Sequence, residues 1–343
     1  MNPDTSLLAR LADTKKVLFF GGKGGVGKTT ISAATALLAA ESKRVLLVST
    51  DPAHNLGHLF NRELAADATR LAPNLDVIEL DPQQTINKHL QEVGKVLRRL
   101  MPVQLINEVD KHLELSREAP GMEEAALLER IAEVVEDAGR NYDLVIFDTA
   151  PSGHTARLMA LPEMMSAWTE GLLKRREKSD RLNTIVKSLG SDNSHSDKVF
   201  GDGAESEAPI DDNTINQDTR ESMIRTILNR RKQRFSGLRE VITNPEQTAF
   251  VIVLAAERLP VLESIELHQR LVKTGVAIGG LVVNKRLPED SSVFLQQRRE
   301  QEQLHLQELQ QALPKVARQD LPLVAHDVVG LTALQQFADS LKN

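Results

Sequence analysis

The stretch from Gly21 to Thr30 constrains this chain more than any other, reading Gly-Gly-Lys-Gly-Gly-Val-Gly-Lys-Thr-Thr. The apolar run Val17–Phe20 precedes it, and an Ala- and Leu-rich stretch from Ile31 to Ala40 follows. Strand, glycine loop and helix in that order are the setting a phosphate-binding loop requires, and Gly22 to Thr29 fit the G-x-x-x-x-G-K-[ST] spacing. Gly22, Gly24, Gly25 and Gly27 allow successive backbone N–H groups, with that of Val26, to turn inward without a Cβ clash. They form an anion nest at the positive end of a helix. Lys28 is then expected to reach the β- and γ-phosphates, and the Thr29 hydroxyl to complete a magnesium shell. Thr30 is assigned to the helix or the α-phosphate.

Lys23 is an additional lysine inside the loop. In the deviant subclass of P-loop ATPases a lysine here crosses a dimer interface to the partner's nucleotide, so catalysis would need two chains. Its alternative is a solvated loop lysine.

Two further strand ends carry acids. Arg44 to Val48 reads as a buried parallel strand running into Ser49-Thr50-Asp51-Pro52-Ala53-His54-Asn55-Leu56. Ligands gather at the carboxyl ends of such strands, so Asp51 is placed to orient or deprotonate the attacking water, and to meet magnesium through water. The alternative is a turn or helix-cap aspartate before a proline. Asp143 to Asp148 is a Walker B pattern, four buried residues ending in a carboxylate that would hold magnesium through water. The loop Thr149 to Arg157 after it is a natural switch. His154 there is read as a structural hydrogen-bonder rather than a base, because Asp51 already handles water.

The remaining pattern predicts a strand at Asp76–Leu80 and helices over Gln83–Leu100, Val103–Glu118 and from Pro120 through Val135, with Pro102 as a break. Strands are expected at Ala249–Leu254, Val276–Val283 and Lys315–Asp320. Helices are expected at Val261–Lys273, with Pro260 starting the first turn, at Ser291–Leu313 and at Leu331–Leu341. The fold class is α/β: a mostly parallel P-loop NTPase sheet covered by helices on both faces, with an inserted helical subdomain. Residues 1–162 form the first part of the core, including a helical segment at about 83–135, residues 163–240 the insertion and residues 241–343 the second part.

Within the insertion, helices over Met164–Leu189 and Asp218–Glu240 carry many Lys and Arg residues. The acid-rich tether at 190–216 between them is too polar to offset its ordering entropy and is read as flexible. Solvated faces with a linker, or a partner-binding surface regulated by the tether, both fit this composition.

Composition narrows the chemistry. The 343 residues contain no cysteine, which excludes disulfides, thiolate zinc and thiolate-bound metalloid. A net charge of -6 and 3% aromatic residues argue against nucleic acid as a partner. The amino terminus lacks a basic-then-apolar signal pattern, and no run approaches the about 18 apolar residues of a membrane span. A cytoplasmic address is expected.

The P-loop, the Ser49–Leu56 segment and Asp148-Thr149-Ala150-Pro151-Ser152-Gly153-His154-Thr155 together resemble the ArsA family. This family includes arsenical pump-driving ATPases and the guided-entry ATPases that deliver tail-anchored membrane proteins. The resemblance implies a magnesium-dependent homodimeric ATPase with nucleotide at the subunit interface. It gives P-loop roles to Lys23, Lys28 and Thr29, a water-orienting role to Asp51 and a magnesium and switch role to Asp148. It also implies that Glu257 and Asn284 contact nucleotide across or beside the base, and that Pro322 and Leu323 open an adenine-side loop running to Gly330. An amide such as Asn284 offers adenine both a donor and an acceptor; a turn asparagine is the alternative.

The departures concern purpose. Pump subunits bind metalloid through cysteines, and many eukaryotic targeting ATPases hold a seam zinc through Cys-x-x-Cys; both are missing. The insertion is charged where targeting factors have an apolar, Met-rich groove. Asp327-Val328-Val329-Gly330 replaces the usual Glu-Val-Arg-Gly, and Ala256 replaces a common proline. The leading expectation is a homodimeric switch in which ATP binding and hydrolysis drive capture and release of a client or membrane partner. The alternatives are an energising subunit of an arsenical-type pump and a DNA-positioning ATPase, the latter disfavoured by charge.

Overall fold

The computed structural model describes residues 5–51, 55–62, 64, 67–100, 106–119, 121–150, 157–165, 167, 170, 171, 212–289 and 292–342. Two compact units divide the chain, one of residues 1–162 with 237–343 and a second of residues 163–236.

The first unit is built on an eight-stranded sheet. In chain order its strands are β1 (Val17–Gly22), β2 (Val45–Ser49), β3 (Thr69–Ala72), β4 (Leu75–Glu79), β5 (Leu144–Asp148), β6 (Thr248–Ala255), β7 (Ile278–Arg286) and β8 (Arg318–Pro322). Across the sheet the order is β3-β4-β2-β5-β1-β6-β7-β8, parallel throughout except for the antiparallel β3–β4 pair at one edge. This is the mostly parallel α/β sheet the sequence predicts. β1, β2 and β5 are buried along their whole length, as strands covered on both faces by helices must be.

Helices α1 (Leu7–Thr14), α2 (Lys28–Ala40), α3 (Asn55–Phe60), α4 (Pro82–Leu100), α5 (Ile106–Arg117), α6 (Met122–Asn141), α7 (Asp212–Thr243), α8 (Arg258–Lys273), α9 (Val293–Ala312) and α10 (Leu331–Ser340) follow or connect the strands. α2 is apolar nearly all round because α1 and α10 pack on it from outside, making it a core helix rather than an amphipathic surface one. Along β1 the side chains alternate by strand pleat. Leu18 and Phe20 join the core under α1, α2 and α10, while Phe19 stacks on Phe147 and Phe250, ring centroids 4.8 and 6.4 Å away. Ile86, Leu90 and Ala126 make a small satellite core where α4 packs on α6.

Several expected boundaries move. α1 and β3 were not anticipated: α1 is a short amphipathic helix capped by Ser6, and β3 a polar edge strand. β7 runs through Asn284 and Lys285 to Arg286 instead of ending at Val283, because Asn284 still pairs with Ala255 of β6. α8 starts at Arg258, leaving Pro260 inside the first turn, where a missing N–H costs no intrahelical bond. α6 continues six residues beyond Val135, to Asn141. α7 starts at Asp212, inside the stretch read as tether. Residues 172–211, with most of that tether and of the first predicted insertion helix, lie outside the described residues, as do Pro52, Ala53, His54, Pro102 and His154. Among the described residues no helix is long and apolar enough to cross a membrane.

Candidate nucleotide site

β1 lies between β5 and β6; the chain leaves it through α2 toward β2 on the β5 side, and only after β5 crosses to β6 on the other, so the strand order reverses at β1. A crevice forms at its carboxyl end, the usual ligand position in open parallel sheets. The P-loop springs from that end. Gly22, φ +153°, lies beside Val253 of β6, and a Cβ there would sit 2.0 Å from the Val253 carbonyl oxygen. Gly27, φ +93°, is the N-cap of α2, and its Cβ would sit 2.4 Å from the Asn284 side-chain nitrogen. Packing and backbone angle together exclude side chains at both positions. Gly24 and Gly25 face open space at the mouth of the loop.

Three of the loop's carbonyls are held by side chains. Lys28 Nζ donates to the Lys23 carbonyl at 3.1 Å, Asn284 Nδ2 to the Val26 carbonyl at 2.9 Å, and Lys285 Nζ to the Gly25 carbonyl at 2.9 Å. Each held carbonyl fixes the peptide plane it belongs to, and with it the adjoining amide. Asn284 thus spends a donor on the loop, an arrangement not visible in its spacing.

Below the loop, parallel register gathers the acids. Asp148 at the end of β5 is level with Phe20 of β1 and Ser49 of β2, and Asp51 follows Ser49 by two residues. Thr50 donates its N–H to the Asp148 carbonyl at 2.9 Å, tying the β2 and β5 ends together. Lys28 is buried and feels both carboxylates; burial lowers its pKa, and Asp148 and Asp51 oppose that shift. The Asp148 side chain is wholly buried, and neither oxygen has a hydrogen-bond partner of good geometry. Desolvation pushes its pKa up to about 7, with the Thr29 hydroxyl and Lys28 favouring the charged form and Asp51 and Glu79 opposing it. A buried acid beside a phosphate nest, its oxygens unpaired, is chemically fitted to a hydrated cation.

The sequence-predicted residues fall in three places. Gly22, Gly24, Gly25, Val26, Gly27, Lys28, Thr29 and Thr30 form the loop and first turn of α2, with Asp51 and Asp148 beneath. Lys23 stands at the loop's rim, its Nζ 2.9 Å from Glu263 of α8, both side chains about one-third exposed. Glu257, Pro322 and Leu323 lie farther out: Glu257 is the exposed N-cap of α8, and exposed Pro322 and Leu323 end and follow β8.

The chain belongs to the ArsA ATPase family.

Residues 15–343 match that family, described as anion-transporting ATPases. A protein of Aquifex aeolicus assigned as arsenical pump-driving ATPase 2 is 32% identical over 95% of this chain and 99% of its own. ATPase GET3 of Zygosaccharomyces rouxii is 31% identical over 95% of this chain and 90% of its own, and ATPase GET3 of Kluyveromyces lactis 30% identical over 100% and 93%. This family member is an ATPase.

Three side chains at the site had no part in the motif reading. Glu79, buried at the end of β4 and level with Ser49, accepts the N–H groups of Leu56 and Gly57 at 3.1 and 3.4 Å and so caps α3 just beyond Asp51. The rule that pointed to Asp51 and Asp148, an acid at the carboxyl end of a buried strand, applies to it equally. Glu263 and Lys285 carry no such signal, since only tertiary contact brings them to the loop.

Proposed function

We propose that the protein is a magnesium-dependent ATP hydrolase working as a homodimeric switch, in which ATP draws two copies together and hydrolysis lets them part. That motion would drive capture and release of a client or membrane partner. The observation that carries this reading is the division of labour between the two P-loop lysines. Lys28 is buried against Asp51 and Asp148, whereas Lys23 is held at the rim by Glu263.

In this mechanism the inward amides and Lys28 grip the phosphates, and Asp51 orients the attacking water and accepts its proton. Asp148, through water, and Thr29 would hold Mg2+, which when bound offsets charge on the β- and γ-phosphates. Lys23 supplies the last cation to the partner's γ-phosphate. Leaving Glu263 costs it only about 0.2–1 kcal/mol, as for other partly exposed ion pairs, so docking of two copies readily offsets the exchange. Glu257 and Asn284 contact nucleotide across or beside the base, and Pro322 and Leu323 border the adenine.

Asp51→Asn should slow hydrolysis by about 10²- to 10⁴-fold while ATP affinity stays within a few-fold, and the trapped complex should retain its client. Turnover within a few-fold of the parent would remove Asp51 from the mechanism. The name of the Aquifex relative supports a second reading, an energising subunit for anion extrusion. Any stimulation by arsenite here would have to proceed without thiolates, because the chain has no cysteine.

A further inference from the structure

Lys285 is exposed, yet its backbone is held at φ +59°. Among the described residues only two other non-glycine residues have positive φ, Asn61 and Asn74, and asparagine tolerates that region through its short polar side chain. Lysine has no such excuse. It sits within β7, just past Asn284, which still pairs with Ala255, and the ladder to β8 is irregular between Val283 and Arg286. The consequence of the twisted backbone is visible one contact away, where its ammonium donates to the Gly25 carbonyl at 2.9 Å. Its neighbour Asn284 donates to the next carbonyl, that of Val26, also at 2.9 Å.

We infer that Lys285 is a positioning residue for nucleotide binding, clamping the Gly25 carbonyl outward so that the glycine loop stays preformed around the phosphates. Gly24 and Gly25 meet nothing that a Cβ would touch, so packing does little to fix this part of the loop. Glycine peptides there have many alternative conformations, and each amide turned away from the crevice is lost to the phosphate nest. A side chain fixing one carbonyl of the peptide plane fixes the amide on its other edge as well, since the plane is rigid. The ammonium also leaves positive charge near the nest. Lys285 acts through the loop and needs no contact with the nucleotide. The inference rests on the reading that this loop grips the phosphates.

Glycine is the informative replacement, because it relieves the positive φ while removing the clamp. Lys285→Gly should keep or slightly raise the melting temperature without nucleotide. It should weaken calorimetric affinity for ATP and ADP by about five- to twentyfold, as expected for loss of a charged hydrogen bond. Adenosine, which has no phosphate, should bind unchanged. KM for ATP should rise while kcat stays within about twofold, and Lys285→Arg should recover most of the affinity. ATP affinity within twofold of the parent in Lys285→Gly would overturn the inference, as would an equal loss for adenosine, which would make Lys285 a base contact. Lys28→Ala distinguishes the two levels. Loss of ATP binding there alongside an unaffected Lys285→Gly refutes only the clamp, whereas unchanged binding in both variants refutes the phosphate-loop reading with it.

Discussion

Asp148 is a buried acid held at the expense of stability. Its folded-state pKa lies near 7, above the 3.8 of an unfolded chain, so the native state binds the extra proton between those values. Stability therefore falls as pH rises through that window, because the ionised acid is tolerated in water but not in the dry crevice. Asp148→Asn should stabilise the nucleotide-free protein by about 2–4 kcal/mol near pH 8 and by little near pH 4, while abolishing magnesium-supported hydrolysis. Paired thermal melts of variant and parent at the two pH values test this; a difference between variant and parent that is the same at both would show that the acid is not destabilised by burial. Lys28 has the opposite tension, with burial disfavouring its charge and the two acids restoring it. In the proposed mechanism, phosphate beside Lys28 and a cation beside Asp148 would satisfy both groups together.

Among the elements, the β3–β4 edge hairpin is fastened by a polar trio that the sequence pattern did not reveal. Arg70 of β3 pairs with Asp76 of β4, and Tyr142 beyond α6 donates to the same carboxylate at 2.8 Å. The Arg70 bond, helped by that of Tyr142, holds the Asp76 carboxyl below the usual range against the pull of desolvation. Burial, then the bond to Asp76, pushes Tyr142 up to about 12. Tyr142 is the chain's one tyrosine, so phenolate absorbance reads it alone. The native protein should show almost no phenolate at about pH 10.5, and Asp76→Asn should bring its midpoint down toward the ordinary value near 10. A phenolate midpoint near 10 in the parent would mean the phenol is solvated. Why β3 escaped the sequence reading follows from this geometry. A four-residue edge strand stabilised by an ion pair has no run of apolar residues, whereas β1, β2 and β5, buried on both faces, can be written in almost nothing else.

For the whole molecule, the decisive prediction is complementation between copies. Lys23→Ala and Asp51→Asn should each be nearly inactive alone. If Lys23 serves the partner's nucleotide, a mixed dimer combines the intact Asp51 of one chain with the Lys23 of the other at a single site. Random pairing should then restore about a quarter of the parental rate. No recovery after verified exchange of subunits would show that Lys23 serves its own nucleotide. The resting contact with Glu263 makes the question concrete, because in the proposed mechanism the lysine would exchange that carboxylate for a phosphate.

The sequence by itself determined the central strand, the loop and the acids at the ends of β2 and β5. A phosphate nest needs glycines at fixed spacing, and a buried parallel strand needs uninterrupted apolar residues; both are local demands that leave a local trace. Only the tertiary structure decided that Glu79 caps the helix beyond Asp51, that Glu263 holds Lys23, and that Asn284 and Lys285 brace the loop from β7. These contacts join residues far apart in the chain through single hydrogen bonds and ion pairs, which impose no periodicity on the residues around them and exist only once the sheet has set its register.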